Sequence, residues 1–156
     1  MEQQFISNLS TTSFSIEEGS VNAKSPSNIA LVKYWGKKKN QIPTNSSISY
    51  TLTNSYTETE LKFKKKQSDN FEVEVYLEGE KKDSFSPKII TFFERIIDYV
   101  PFLKAYKFTV HTHNSFPHSS GIASSASGMS ALALCLVRIE NNLGANLSEE
   151  ESLKKA

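Results

Sequence analysis

The chain has 156 residues, a formal net charge of +1 and a single cysteine, Cys135. That length supports one domain with a real core, and the near-zero charge supplies no basic field for nucleic acid. One cysteine excludes an intrachain disulfide framework, no apolar run approaches a membrane span, and the polar N-terminus has neither a signal-peptide h-region nor transit-peptide arginines. A cytosolic (cytoplasmic) protein without membrane or nucleic-acid partners is expected.

In chain order, residues 1–20 read as a flexible arm, and residues 21–156 as the folded part. Val21–Lys24 and Ile29–Val32 are short strand candidates separated by Pro26. Trp35–Asn45 reads as a loop carrying Gly36, Pro43 and a lysine run, and Ile48–Leu52 as a strand. Thr57, Thr59, Leu61 and Phe63 alternate with charged residues, and Phe71, Val73, Val75 and Leu77 do the same, which is the pattern of half-buried strands. Glu78-Gly79-Glu80 reads as a turn to a short strand over 81–85. Ser86 then serves as an N-cap and Pro87 as the first residue of a helix, whose apolar face carries Ile89, Phe92, Phe93, Ile96 and Ile97. Pro101 closes that region, and Tyr106–Thr112 is a further strand. The pattern predicts an α+β domain with a mixed, mostly antiparallel sheet covered by helices.

The most informative stretch follows. Phe116 to Gly128 is a small-residue loop rich in hydroxyls, and it runs directly into an apolar helical pattern from Met129 to Ile139. A helix start has unpaired N–H groups and the positive end of the macrodipole. Gly121, Ala123 and Ala126 leave room for a bulky anion, while Ser124, Ser125 and Ser127 add donors or an oxygen for a metal. The loop is not a Walker A loop, because no Lys follows Gly128. A tightly packed helix start whose serines cap the backbone is the plainer alternative. Gly144 then ends the helix, Ser148 and Glu151 form a capping box, and the next helix runs for barely two turns. A chain stopping inside so short a helix reads as an N-terminal fragment.

A second stretch adds to the first. Ser25-Pro26-Ser27-Asn28-Ile29-Ala30, Lys33-Tyr34-Trp35-Gly36-Lys37, Pro43-Thr44-Asn45-Ser46-Ser47-Ile48-Ser49, Asn114-Ser115-Phe116-Pro117 and Gly121-Ile122-Ala123-Ser124-Ser125-Ala126 occur in that order. Together they resemble the diphosphomevalonate decarboxylase family of the GHMP kinase superfamily, over roughly Val21 to the end of the chain. The Lys-Tyr-Trp-Gly-Lys string is specific to the decarboxylase branch, and the serine loop is shared across the superfamily. The resemblance implies a GHMP-kinase-like N-terminal domain, similar to the second domain of ribosomal protein S5, with its C-terminal part absent. It implies ATP and Mg²⁺ as cofactors, a phosphorylated mevalonate as substrate, and a homodimer for the full-length protein.

It also implies roles. Lys33 would lie near the reacting hydroxyl. Asn28, Tyr34, Trp35, Gly36, Lys37, Lys88 and Asn114 would contact substrate. Pro117, Gly121, Ile122, Ala123, Ser124, Ser125 and Ala126 would hold the nucleotide, with Ser125 also offering its oxygen to the metal. Read without the family, the lysines from Lys33 to Lys39 solvate a face, Asn28 and Asn114 sit in turns, and Lys88 points into water. Lys88 is nevertheless unusual, since a cation in a first helical turn is mildly disfavoured unless an anion lies beside it. His118, Ser119-Ser120 and Ile122 depart from the family's usual Thr, Ala-Ala and Leu. His111, His113 and His118 lack a nearby Cys, Asp or Glu to complete a zinc set. The run Lys62 to Lys66 ends a strand and reads as a solvated edge.

The resulting expectation is an ATP-dependent decarboxylase converting 5-diphosphomevalonate to isopentenyl diphosphate. The family's catalytic aspartate and its later Ser-Gly-Ser…Arg segment are expected beyond Ala156, so this stretch alone is expected not to turn over. A GHMP kinase that stops at phosphoryl transfer, and a non-catalytic RNA-binding α+β domain, are the alternatives.

Overall fold

In the computed structural model, residues 5–7, 9, 14–39, 42–117 and 120–156 are described. Five strands form one sheet: β1 (Glu18–Val32), β2 (Ile48–Lys65), β3 (Val73–Leu77), β4 (Glu80–Lys81) and β5 (Tyr106–Asn114). The spatial order is β1-β2-β5-β3-β4, with β3 and β5 parallel and the other neighbours antiparallel. Helices α1 (Ser86–Ile96), α2 (Ser124–Asn142) and α3 (Glu149–Lys155) complete an α+β domain.

The alternation of the strands decides which face is covered. Val21, Ala23, Leu61, Phe63, Val75, Phe108 and Val110 all point inward and are buried with Phe93, Leu132, Cys135, Leu136 and Ile139 of α1 and α2. Ring edges interlock there: Phe63 meets Tyr106 at 5.2 Å between centroids, and Phe93 meets Phe108 at 5.3 Å. The outward face is polar and laced with cross-strand pairs, including Lys24–Glu58 at 3.1 Å and Lys64–Glu18 at 3.0 Å. Of the Lys62–Lys66 run, Lys62 and Lys64 lie on that face; Phe63 is buried, and the strand is interior to the sheet and not at its edge as expected. Lys62 and Lys65 also have acidic partners, Glu60 and Glu17.

Three expectations need correction. The folded part begins before Val21. Phe14 is buried in the core, Lys65 Nζ donates to its carbonyl at 2.9 Å, and Tyr106 Oη donates to Ile16 O at 2.8 Å. Strand β1 starts at Glu18, and Gly19 lies so close to the Phe63 ring that an added Cβ would stand 2.7 Å from it. The flexible arm therefore does not extend to residue 20. Second, the paired short strands merge. Pro26 does not interrupt β1, because β1 is the edge strand and, among the described residues, has no ladder partner on its outer side. The irregularity falls on β2, where Thr53, Asn54 and Ser55 stand as an extra segment between the partners of Pro26 and Ser27. Third, Ser86 is not the N-cap. A 3-10 turn over Asp83–Phe85 runs straight into α1, so Phe85 already has helical backbone angles and Ser86 lies inside the helix.

Beyond Ser27, β1 and β2 pair only with each other and project as a two-stranded extension. At the other end of the chain the capping box forms as read. Ser148 accepts from the Glu151 N–H, and the Glu151 carboxylate accepts from the Ser148 N–H. Gly144 takes a positive φ of 105° just past α2. Lys155 of α3 reaches back to Glu140 of α2 at 2.6 Å, where the Glu140 side chain is buried.

Candidate active site

Strand β5 carries the chain to the serine loop, and α2 begins at Ser124. Gly121 has φ of 84° and Ala123 φ of 47°, so two left-handed turns reverse the chain before the helix. Gly121 tolerates this freely; Ala123 carries strain that is held by its surroundings. Ala123 occupies the N-cap position, and among the described residues no side chain caps α2. Ser124, Ser125 and Ser127 therefore do not close the helix start, and its open first turn favours an anion. Ser125 and Ala126 are exposed there, Ser124 is half-buried, and Ser127 turns inward.

A neighbouring motif holds the loop in place. The Ser27 hydroxyl donates to the Ile122 carbonyl, and Ser27 itself is buried. This bond ties the Pro-Ser-Asn segment of β1 to the loop that precedes α2.

Beside this helix start lies a cavity of about 210 Å³. Its walls are mainly apolar, from Val75, Leu77, Phe85, Ile89, Met129 and Leu132. Lys88, Asn114, Ser124 and Ser125 also line it, so one cavity brings the serine loop together with Asn114 and Lys88, which lie apart from it in the sequence. The Lys88 ammonium lies 5.3 Å over the Phe85 ring. Asn114 is held at both ends: its N–H donates to Glu78 Oε1 at 2.8 Å, and its Oδ1 accepts from Thr57 Oγ1 at 2.7 Å. Glu78 reaches it from the two-residue β3–β4 turn, where Glu78 and Gly79 both have positive φ.

The Lys33–Lys37 segment stands apart. Asn28, Lys33, Tyr34, Trp35, Gly36 and Lys37 are not among the described residues of that cavity wall. They belong to the β1–β2 extension and the loop at its tip. Trp35 is 93% exposed, and Lys37 Nζ lies 5.6 Å over the Tyr34 ring. Asn45 organises this loop: its Oδ1 accepts from the Trp35 N–H at 3.1 Å and its Nδ2 donates to Lys33 O at 3.3 Å. Thr44 closes it, its N–H and Oγ1 both donating to Gly36 O at 3.0 Å.

Pro117 is exposed at the entry to the loop. His118 and Ser119 lie outside the described residues. His111 and His113 are on the outward sheet face; His111 stacks on Tyr76 at 4.8 Å, and His113 lies 3.7 Å from Glu58. Among the described residues no group of three or more His, Cys, Asp or Glu could hold a metal. Cys135 is buried, and burial pushes its thiol up to about 12.

Sequence reasoning gave Ser27, Asn45 and Thr57 no role in the site, and Ser127, read there as a donor to a ligand or metal, is buried against Thr57 instead. The signal for Thr57 was present, since a threonine at an inward strand position must find a buried partner. Ser27 and Asn45 carried no such signal, because their partners are backbone atoms of other segments.

The profile of the diphosphomevalonate decarboxylase-like N-terminal domain matches residues 25–155. Diphosphomevalonate decarboxylase of Bos taurus is 33% identical over 133 residues, covering 76% of this chain and 33% of the relative. Among solved structures, mevalonate diphosphate decarboxylase from Staphylococcus aureus superposes with a TM-score of 0.70 at 32% identity, covering 86% of this chain and 39% of that one. The Enterococcus faecalis enzyme, described with a mevalonate diphosphate-mediated ATP-binding mechanism, gives 0.65 at 34% identity, covering 84% and 39%. The chain thus spans about a third of the length of the curated relatives it matches. A profile match over residues 25–155, with relatives about a third identical over most of the chain, establishes that this chain belongs to the diphosphomevalonate decarboxylase-like N-terminal domain family.

Proposed function

We propose that this chain supplies the nucleotide- and substrate-binding part of an enzyme that decarboxylates (R)-5-diphosphomevalonate at the expense of ATP, giving isopentenyl diphosphate, CO₂, ADP and phosphate. The observation that carries the reading is the shared cavity. Lys88, Asn114, Ser124 and Ser125 converge beside a helix start that no described side chain caps. That combination suits a ligand with polyphosphate at one end and a less polar body.

The residues divide the work. The open N–H groups of α2 and the Ser124 and Ser125 hydroxyls would hold nucleotide phosphate. Pro117, Gly121, Ile122, Ala123 and Ala126 would shape the loop around it. Lys88 and Asn114 would hold substrate from the other side of the cavity. Asn28, Tyr34, Trp35, Gly36 and Lys37 would close over the substrate diphosphate from the β1–β2 extension, and Lys33 would sit nearest the reacting hydroxyl. A tertiary hydroxyl is a poor leaving group, so phosphorylating it precedes its loss with CO₂. Positioning and charge then lower most of the barrier.

The donor set fits magnesium in one respect. Ser125 offers a single exposed hydroxyl oxygen, and Mg²⁺ keeps waters and phosphate oxygens in preference to a full protein cage. When bound, ATP with Mg²⁺ supplies the phosphoryl group and offsets the charge that develops on it. A homodimer and a cytosolic location belong to the same proposal and rest on family membership. No helix among the described residues is long and apolar enough to cross a membrane.

The test is CO₂ release from 5-diphosphomevalonate by the full-length protein. Release is expected only with ATP and a divalent cation. ATP consumption without CO₂ would point to a kinase, and no consumption with any mevalonate phosphate would reject both enzymatic readings.

A further inference from the structure

We propose that Thr57 and Ser127 are positioning residues: a buried pair of hydroxyls turns the Asn114 amide so that its N–H₂ faces the ligand and selects a phosphate or carboxylate oxygen. The proposal rests on the reading of the cavity as a substrate site.

The backbone sets up the contact. Thr57 of β2 and Asn114 at the end of β5 are direct partners in the sheet register. Ser127, in the first turn of α2, packs onto Thr57 from the covered face, with its Oγ 2.7 Å from Thr57 Oγ1. Thr57 and Ser127 are each 2% exposed, so water has no access to replace either partner.

Proton counting gives the chain a direction. A threonine hydroxyl carries one hydrogen. Thr57 gives it to Asn114 Oδ1 at 2.7 Å. The bond between Thr57 and Ser127 must then be donated by Ser127. The other acceptors near the Ser127 hydroxyl, Ser124 O at 3.2 Å and Ala123 O at 3.5 Å, are more distant than Thr57. The order is therefore Ser127 to Thr57 to Asn114.

An asparagine side chain has one accepting end and one donating end. With Oδ1 engaged inside the protein, Nδ2 is the end left for the cavity that Asn114 lines. The Asn114 N–H is committed to Glu78, which fixes the residue from its other side. A ligand group meeting this amide must accept hydrogen bonds. Phosphate and carboxylate oxygens do; an ammonium or a saturated carbon does not. The same turn of α2 carries Ser124 and Ser125, so the orientation of Asn114 is anchored in the element that forms the phosphate loop.

The experiment uses the full-length protein and five variants, with 5-diphosphomevalonate and MgATP titrated separately by calorimetry. Thr57→Val keeps the shape and removes the hydroxyl. It is expected to raise the Kd for diphosphomevalonate about tenfold, the lower end for a hydrogen bond to a charged group, and to leave MgATP within about twofold. Thr57→Ser is expected to restore binding. Asn114→Asp, which replaces the donor by an acceptor, is expected to lose at least as much as Thr57→Val. Adding Thr57→Val to Asn114→Ala should cost nothing further. A folded Thr57→Val protein with unchanged diphosphomevalonate affinity overturns the proposal. So do equal losses for both ligands, or a Thr57→Ser variant no better than Val. If the unaltered protein binds ATP but not diphosphomevalonate, the enzymatic reading falls first. The ligand-free unfolding midpoints of Thr57→Val, Asn114→Ala and the double variant then decide the relay, and strictly additive losses overturn it.

Discussion

Replacing Lys155 with Met should destabilise the domain strongly. The Lys155 ammonium lies 2.6 Å from Glu140 Oε1 and 3.2 Å from the Tyr99 carbonyl. The Glu140 side chain is 1% exposed, and its second oxygen, Oε2, has no hydrogen-bond partner among the described residues. Without Lys155, that carboxylate has two outcomes. It stays buried and unpaired, for which broken buried pairs suggest a loss of about 3–5 kcal/mol. Or α3 moves away and admits water. Because α3 has only seven residues, it is far below the length that is stable alone. The cheaper outcome sets the loss, which we place at about 3 kcal/mol, or on the order of 10 °C in Tm for a chain of this size. Urea denaturation followed by circular dichroism is the assay. The double variant Glu140→Leu/Lys155→Met should recover most of the loss, as apolar replacements of buried pairs do. A Lys155→Met loss below about 1 kcal/mol, or a double variant no more stable than Lys155→Met, would refute the reasoning.

Further outcomes follow from the same contacts. Ser125→Ala in the full-length protein should lower turnover on the order of a hundredfold with an unchanged melt, as measured by CO₂ release. A large drop in Tm with normal activity per folded molecule would make Ser125 structural instead. Lys37→Ala should weaken diphosphomevalonate about ten- to a hundredfold and ATP much less, in parallel titrations. Equal losses would point to general electrostatics. Cys135, buried with its thiol pushed up to about 12, should not react with iodoacetamide at pH 8 until the protein unfolds, as followed by mass spectrometry. The Ser148 hydroxyl and N–H hold the Glu151 carboxyl below the usual carboxylate range. A lowered folded value means the stabilisation is present above the ordinary carboxylate range and is lost as pH falls through the lowered one. The protection of α3 amides relative to their intrinsic exchange rates should therefore fall in acid, and Ser148→Ala should remove that pH dependence.

Much of the fold was legible because alternation and capping are local. The inward run Thr57, Thr59, Leu61, Phe63, the Ser148 capping box and the C′ glycine at 144 each form as read. The errors arose where a remote partner decides. Pro26 looked like a strand break, but only its position at a sheet edge determines whether its missing N–H matters. Ser86 looked like an N-cap, but a preceding 3-10 turn had already set the helical path. The site was legible as residue types in two motifs. Their meeting was not: the Ser27–Ile122 bond spans 95 positions, and the Thr57–Ser127 contact spans 70. No local pattern encodes such distances.

The placement of β5 between β2 and β3 has a consequence for synthesis. Strands β1 and β2 can zip into a hairpin once residue 65 is made, yet the inner edge of β2 gains its partner only when residues 106–114 arrive. At about 5–20 residues per second, translation leaves that edge bare for several seconds. During this interval Thr57, Leu61 and Phe63 present an apolar, hydrogen-bond-hungry border to the cell. Completion of the sheet and assembly of the Thr57–Asn114 contact are then one event. A nascent chain that stalls before β5 therefore carries both an aggregation-prone edge and an unbuilt ligand site.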